Sequence, residues 1–148
     1  FLNNERYRNN WLESMQEVVT RLLSGSSCDI YLENMFDQSP DELADLSGAL
    51  REEARFGICL DIAHMRLATD EPREWFRVLA PYIRHFHIND THLKYDEHLP
   101  LGQGSIDWKE MEALLEEFGL EGRSRLIEVS GLEKIRESLR YCRLAGIK

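Results

Sequence analysis

One short pattern occurs four times in this chain: an apolar run of strand length, a chemistry-bearing residue at its carboxyl end, and then an amphipathic stretch. The runs are Ile30-Tyr31-Leu32 before Glu33, Ile58-Cys59-Leu60 before Asp61, Ile83-Arg84-His85-Phe86 before His87, and Leu126-Ile127 before Glu128. Strict alternation of short strands with helices means a parallel sheet, because parallel neighbours need a crossover and the helix is that crossover. The expected fold class is therefore α/β, built from four parallel β/α units. With 148 residues and no low-complexity linker, the chain reads as one domain spanning residues 1–148.

The helices are marked by their periodicity and ends. Trp11, Met15, Val18, Val19 and Leu22 recur at helical spacing, and Ser24-Gly25-Ser26-Ser27 stops them. Ser39-Pro40-Asp41-Glu42 offers an N-cap, a proline at the first helical position and a capping-box glutamate for a helix through Leu43, Leu46 and Leu50. Later helices open at Asp70-Glu71-Pro72, at Asp107-Trp108-Lys109-Glu110 and at Ser130-Gly131-Leu132-Glu133, with Gly119 closing the middle one. Lys109 to Glu117 reads as a solvated face interleaved with Met111, Leu114 and Leu115, and Trp11, Trp75 and Trp108 read as helix packing. The longest interruption, Asn89 to Ile106, exceeds an ordinary connection and is expected to be a functional loop over the strand ends. Within it, Gly102-Gln103-Gly104 supplies a turn before the Asp107 cap and is no phosphate fingerprint.

Composition narrows the partners. The net charge of -9, from 18 basic and 27 acidic residues, opposes attraction to phosphate backbones and makes nucleic acid the weaker partner class. No apolar run approaches the roughly 20 residues that span a bilayer. Three cysteines, Cys28, Cys59 and Cys142, lie far apart with no C-x-x-C pair, which argues against a disulfide scaffold or a thiolate zinc site and for a reducing cytoplasm. The opening Phe1-Leu2-Asn3-Asn4-Glu5-Arg6 has neither an apolar signal core nor an initiator methionine, so the chain reads as a fragment without an export signal. On that reading the sequon Asn89-Asp90-Thr91 is a chance match.

In parallel α/β proteins ligands bind at the carboxyl ends of the strands, which is where the four polar residues stand. Side chains alternate along a strand, so Glu33 shares a face with Tyr31, Asp61 with Cys59, His87 with His85, and Glu128 with Leu126. If those faces converge, Glu33, Asp61, His87 and Glu128 make a hard, oxygen-rich site suited to one divalent metal, Mn²⁺, Zn²⁺ or Mg²⁺. Without a cation, three buried carboxylates would repel one another and need separate partners. Blander readings stand beside these. One lone acid at a strand end is usually a cap or an ion pair. His64, expected on a loop after Asp61, is a site residue or a simple cap; His85 is a core or supporting histidine; His92 is solvated. Asp96 and His98 are either an ion pair that stiffens the long loop or a ligand pair.

The runs Leu32-Glu33-Asn34, Cys59-Leu60-Asp61-Ile62-Ala63-His64, His85-Phe86-His87-Ile88-Asn89-Asp90, Asp96-Glu97-His98-Leu99-Pro100-Leu101-Gly102-Gln103-Gly104 and Ile127-Glu128-Val129 resemble the xylose isomerase-like TIM barrel superfamily. That group includes sugar-phosphate isomerases and epimerases as well as endonuclease IV-type apurinic endonucleases. The resemblance implies a parallel (β/α) barrel of TIM type, of which this chain supplies the C-terminal half. It implies that Glu33, Asp61, His87 and Glu128 hold the main metal and that His64 faces substrate or an additional metal. Asp96 and His98 match positions that complete an additional zinc site in the endonucleases, whose two further histidine ligands come from the half of the barrel missing here. The implied activity is a metal-dependent isomerase or epimerase acting on a sugar, sugar phosphate or polyol, with Glu33 and Glu128 moving a proton beside a polarised carbonyl. The alternatives are an endonuclease IV-type DNA repair enzyme and a non-catalytic metal-binding fragment. A half-barrel is further expected to form a homodimer or to associate with the missing half, and to turn over weakly or not at all alone.

Overall fold

The computed structural model describes residues 5–147. The chain runs α1 (Glu5–Gly25), β1 (Ile30–Glu33), α2 (Asp41–Ala49), β2 (Phe56–Asp61), α3 (Ile62–Leu67), α4 (Pro72–Leu79), β3 (Ile83–Ile88), α5 (Trp108–Glu117), β4 (Ser124–Ile127) and α6 (Leu132–Ala145). The strands form one open sheet in the order β1-β2-β3-β4, with every adjacent pair parallel. This is the arrangement of a partial TIM barrel, as the strand–helix alternation leads one to expect.

One face of the sheet carries the core. Ile58, Leu60, Ile83 and Phe86 pack with Leu46, Trp75, Phe76 and Leu79 of the helices, all fully buried or nearly so. Ile83 and Phe86 are three apart and would point to opposite faces of a regular strand. A register irregularity between Ile58 and Cys59 skips Arg84 and brings both into the core. Gly57 makes room for this, since a Cβ there would collide with the Arg84 side chain.

The opposite face carries Tyr31, Glu33, Cys59, Asp61, His85, His87, Ser124 and Leu126. Its edges are open: Tyr31 and Leu126 are 39% and 49% exposed.

Several local expectations need correction. In α1 the buried residues are Val19 and Leu23, whereas Val18 and Leu22 are exposed. The doublets Val18-Val19 and Leu22-Leu23 fit two helical phases, and packing against α2 selects the second. The α2 capping box does not form: Pro40 is the N-cap, no side chain caps it, and Ser39 Oγ only accepts a long bond from Asp41 N at 3.4 Å. His64 is not on a loop; it belongs to α3, a six-residue helix capped by the Asp61 side chain. By contrast, Asp107 caps α5 as expected, accepting from Lys109 N and Glu110 N, and Gly119 follows that helix at φ +67°.

Candidate metal centre

Strand geometry brings the predicted residues together. Ligand atoms of Glu33, Asp61, His87 and Glu128 all lie within 4.8 Å of one another. His87 Nδ1 sits between the two glutamates, 3.0 Å from Glu33 Oε1 and 3.0 Å from Glu128 Oε2. Glu33 ends β1, Asp61 ends β2 and lies opposite His87 of β3, and Glu128 follows β4 with its N–H donating to Ile88 O. Asp61 is wholly buried while the other three are half-buried, so the cluster opens to one side.

A second cluster adjoins the first. Ligand atoms of His64, Asp96 and His98 also lie within 4.8 Å of one another. His64 Nε2 is 3.3 Å and His98 Nε2 3.0 Å from Asp96 Oδ2, so Asp96 bridges the histidines. Their remaining nitrogens bind backbone carbonyls, His64 Nδ1 at Asn34 and His98 Nδ1 at Glu128, which orients both rings. The Asp96–His98 ion pair is therefore present, and it also engages His64.

The electrostatics suit a cation. Burial, opposed mainly by His64, pushes the Asp61 carboxyl up to about 6, with Glu33 and Glu128 adding repulsion. Burial lowers the His64 pKa, but Asp61, the Asn34 carbonyl and Asp96 outweigh it and leave the ring raised. His98 is likewise raised, the Glu128 carbonyl and Asp96 overcoming burial. Glu128 Oε2 and His64 Nε2 are buried and make no well-oriented hydrogen bond, their nearest charged neighbours being His87 and Asp96. Three carboxylates gathered on one imidazole repel one another in a low-dielectric site, and a divalent ion would offset that repulsion, so the residues fit such a group. A pocket of about 540 Å³ opens beside His98, Leu126 and Glu128.

Sequence reasoning missed the residues that hold this site in shape. Asn34 is buried and clamps the Asp61 backbone in both directions, its Oδ1 accepting from Asp61 N and its Nδ2 donating to Asp61 O. Asn89 Nδ2 donates to Asp61 Oδ2. Asp90, fully buried, accepts from Thr91 N, Gly102 N, Ile106 N and Trp108 Nε1, gathering the long loop around one carboxylate. Trp108 is thus a loop anchor as well as a packing residue. A Cβ at Gly104 would strike that carboxylate, which is why the turn needs glycine there. The one signal that could have found Asn89 and Asp90 is their place directly after the third strand. Asn89, Asp90 and Thr91 being wholly buried also accords with the sequon being a chance match.

Among the other expectations, His85 is half-buried with Nδ1 2.7 Å from Ser124 Oγ, a supporting position. His92 is exposed and pairs with Glu97. The three cysteines are free. No helix among the described residues is long and apolar enough to cross a membrane.

An open parallel sheet with carboxylates and an imidazole gathered at its strand ends is the arrangement of part of a β/α barrel, a fold whose ligand sites lie at that face. The family model of the xylose isomerase-like TIM barrel matches residues 2–145, and the chain belongs to that family. It is 27% identical over 106 residues to a probable endonuclease 4 of Protochlamydia amoebophila (strain UWE25), covering 62% of this chain and 38% of that one. Among solved structures, a D-tagatose 3-epimerase-like protein superposes with a TM-score of 0.77 at 25% identity, covering 93% of this chain and 53% of the other. A Thermus thermophilus protein, in crystals soaked with zinc chloride, gives a TM-score of 0.69 at 26% identity, covering 97% and 57%. The chain thus spans little more than half the length of these structures, and less of the curated relative.

Proposed function

We propose that this chain is the metal-site half of an enzyme of the sugar isomerase and epimerase kind, acting by proton transfer beside a carbonyl. The observation that carries the reading is the placement of two half-exposed carboxylates, Glu33 and Glu128, on either side of His87 at 3.0 Å each. Inverting or shifting a centre beside a carbonyl needs one group to remove a proton and another to return it. A divalent ion held by Glu33, Asp61, His87 and Glu128 would polarise the carbonyl and so acidify the neighbouring C–H bond. Glu33 and Glu128 would then take and return the proton, and His64, oriented through Asn34 O and paired with Asp96, would reach a substrate hydroxyl through that carboxylate. The likeness to a D-tagatose 3-epimerase-like protein and the acidic balance both favour a small polyhydroxylated substrate over DNA.

One observation supports a second reading, phosphodiester hydrolysis of the apurinic endonuclease type. The His64, Asp96 and His98 cluster would seat an additional ion, and the relative at 27% identity is a probable endonuclease 4. A paired experiment separates the two. Manganese-loaded protein is incubated with ketohexoses in deuterium oxide, and zinc-loaded protein with a duplex containing one abasic site. Deuterium incorporation beside the carbonyl, lost in Glu128→Gln, is the expected result. Strand cleavage without incorporation would establish the second reading, and stoichiometric metal binding with neither activity would leave a non-catalytic module.

A further inference from the structure

A third group of donors lies beneath the cluster assigned above. Cys59 stands opposite His85 in the β2–β3 register, one layer below the Asp61–His87 pair. Ligand atoms of Cys59, His85 and His87 fall within 4.8 Å of one another. The two imidazoles meet edge to face at 5.5 Å, and the bond between His85 Nδ1 and Ser124 Oγ leaves Nε2 of that ring available. Cys59 is buried and is not in a disulfide. A sulfur and two imidazoles are a soft donor set, unlike the carboxylates above them.

We propose that Cys59, His85 and His87 form a separate seat for a thiophilic cation such as Zn²⁺ or Cd²⁺. Binding forms a metal–sulfur bond as the thiol proton leaves to solvent. Because His87 belongs to both seats, a soft ion below competes for the imidazole that a hard ion above requires. The layered register thereby couples the two occupancies, and the lower seat acts as an inhibitory site for excess soft metal. This holds whatever reaction the upper site performs, since its test reads sulfur ligation and not turnover.

Cadmium titration followed by ultraviolet absorption tests the proposal directly. The wild-type protein should develop a sulfur-to-metal charge-transfer band saturating near one equivalent, and Glu128→Gln should keep it. Cys59→Ser should lose the band yet still bind Mn²⁺ by electron paramagnetic resonance, and one equivalent of cadmium should weaken Mn²⁺ binding several-fold more in the wild type than in Cys59→Ser. A band that persists in Cys59→Ser would come from Cys28 or Cys142 and overturn the assignment, as would its absence from the wild type. Should Cys59→Ser fail to fold by circular dichroism, His85→Gln decides: at least a tenfold loss of cadmium affinity supports the seat, and unchanged affinity removes it.

Discussion

The buried aspartates make opposite demands on their surroundings. Asp90 is supplied with four N–H donors, and its carboxylate is the node that folds the long loop back over the strand ends. Removing it in Asp90→Ala orphans those donors, and a loss of at least about 3 kcal/mol is expected in urea unfolding, because each charge-assisted bond contributes roughly 1.5–3 kcal/mol. Asp61 instead has its carboxyl pushed up to about 6 by burial, against 3.8 for the free group. A raised folded-state value means that stability is fully present below the unfolded value and is lost as pH rises through the folded one. For Asp61 alone the loss between pH 4 and 7 is roughly 2 kcal/mol in the metal-free protein. The raised His64 and His98 have the same sign, their contributions being full below 6.5 and lost above their folded values, whereas the lowered His85 opposes them. Thermal melts of metal-free protein should therefore show falling stability from pH 5 to 8. Added Mn²⁺ should reverse the trend, raising the melting temperature more at pH 8 than at pH 5, where protons compete for Asp61.

At the scale of the elements, the ends of α2 and α5 form a controlled pair. Asp107 caps α5 through two backbone N–H groups, so Asp107→Ala should cost about 1 kcal/mol in chemical denaturation. Ser39 makes only one long contact, so Ser39→Ala should change stability by less than about 0.5 kcal/mol. A large Ser39 effect would restore the capping box that the sequence suggests. The contrast also shows what the sequence carries. Strand ends and the α5 boundary were legible because each rests on local chemistry: an apolar run, then a polar residue or a cap. The burial phase of α1 was not, since Val18-Val19 and Leu22-Leu23 are equivalent locally and only the neighbouring helix distinguishes them. Helix α3 was invisible because six residues, four of them buried, show no polar face from which a period can be read. The convergence of Glu33, Asp61, His87 and Glu128 could be read from position at the strand ends, whereas the bonds of Asn34, Asn89 and Asp90 depend on partners reached only after folding.

For the whole molecule the open sheet is the controlling feature. The described strands leave β1 and β4 as edges, and the face that carries the site also exposes Tyr31 and Leu126. Unpaired strand edges with apolar side chains are association surfaces. Light scattering across a concentration series should show self-association, or a stable complex once the complementary half of a barrel is supplied; a monomer at all concentrations would mean that these edges are tolerated by solvent. The strand order has a different consequence, one of timing. Each strand pairs with the strand before it in the chain, so pairing waits for the intervening crossover but never for a more distant segment. On a ribosome the donors would emerge in sequence, Glu33 first and Glu128 last, and the cage would stay one ligand short until β4 docks on β3. A divalent ion bound as proposed would then act as a late clasp, capturing a nascent sheet only once its final strand has arrived.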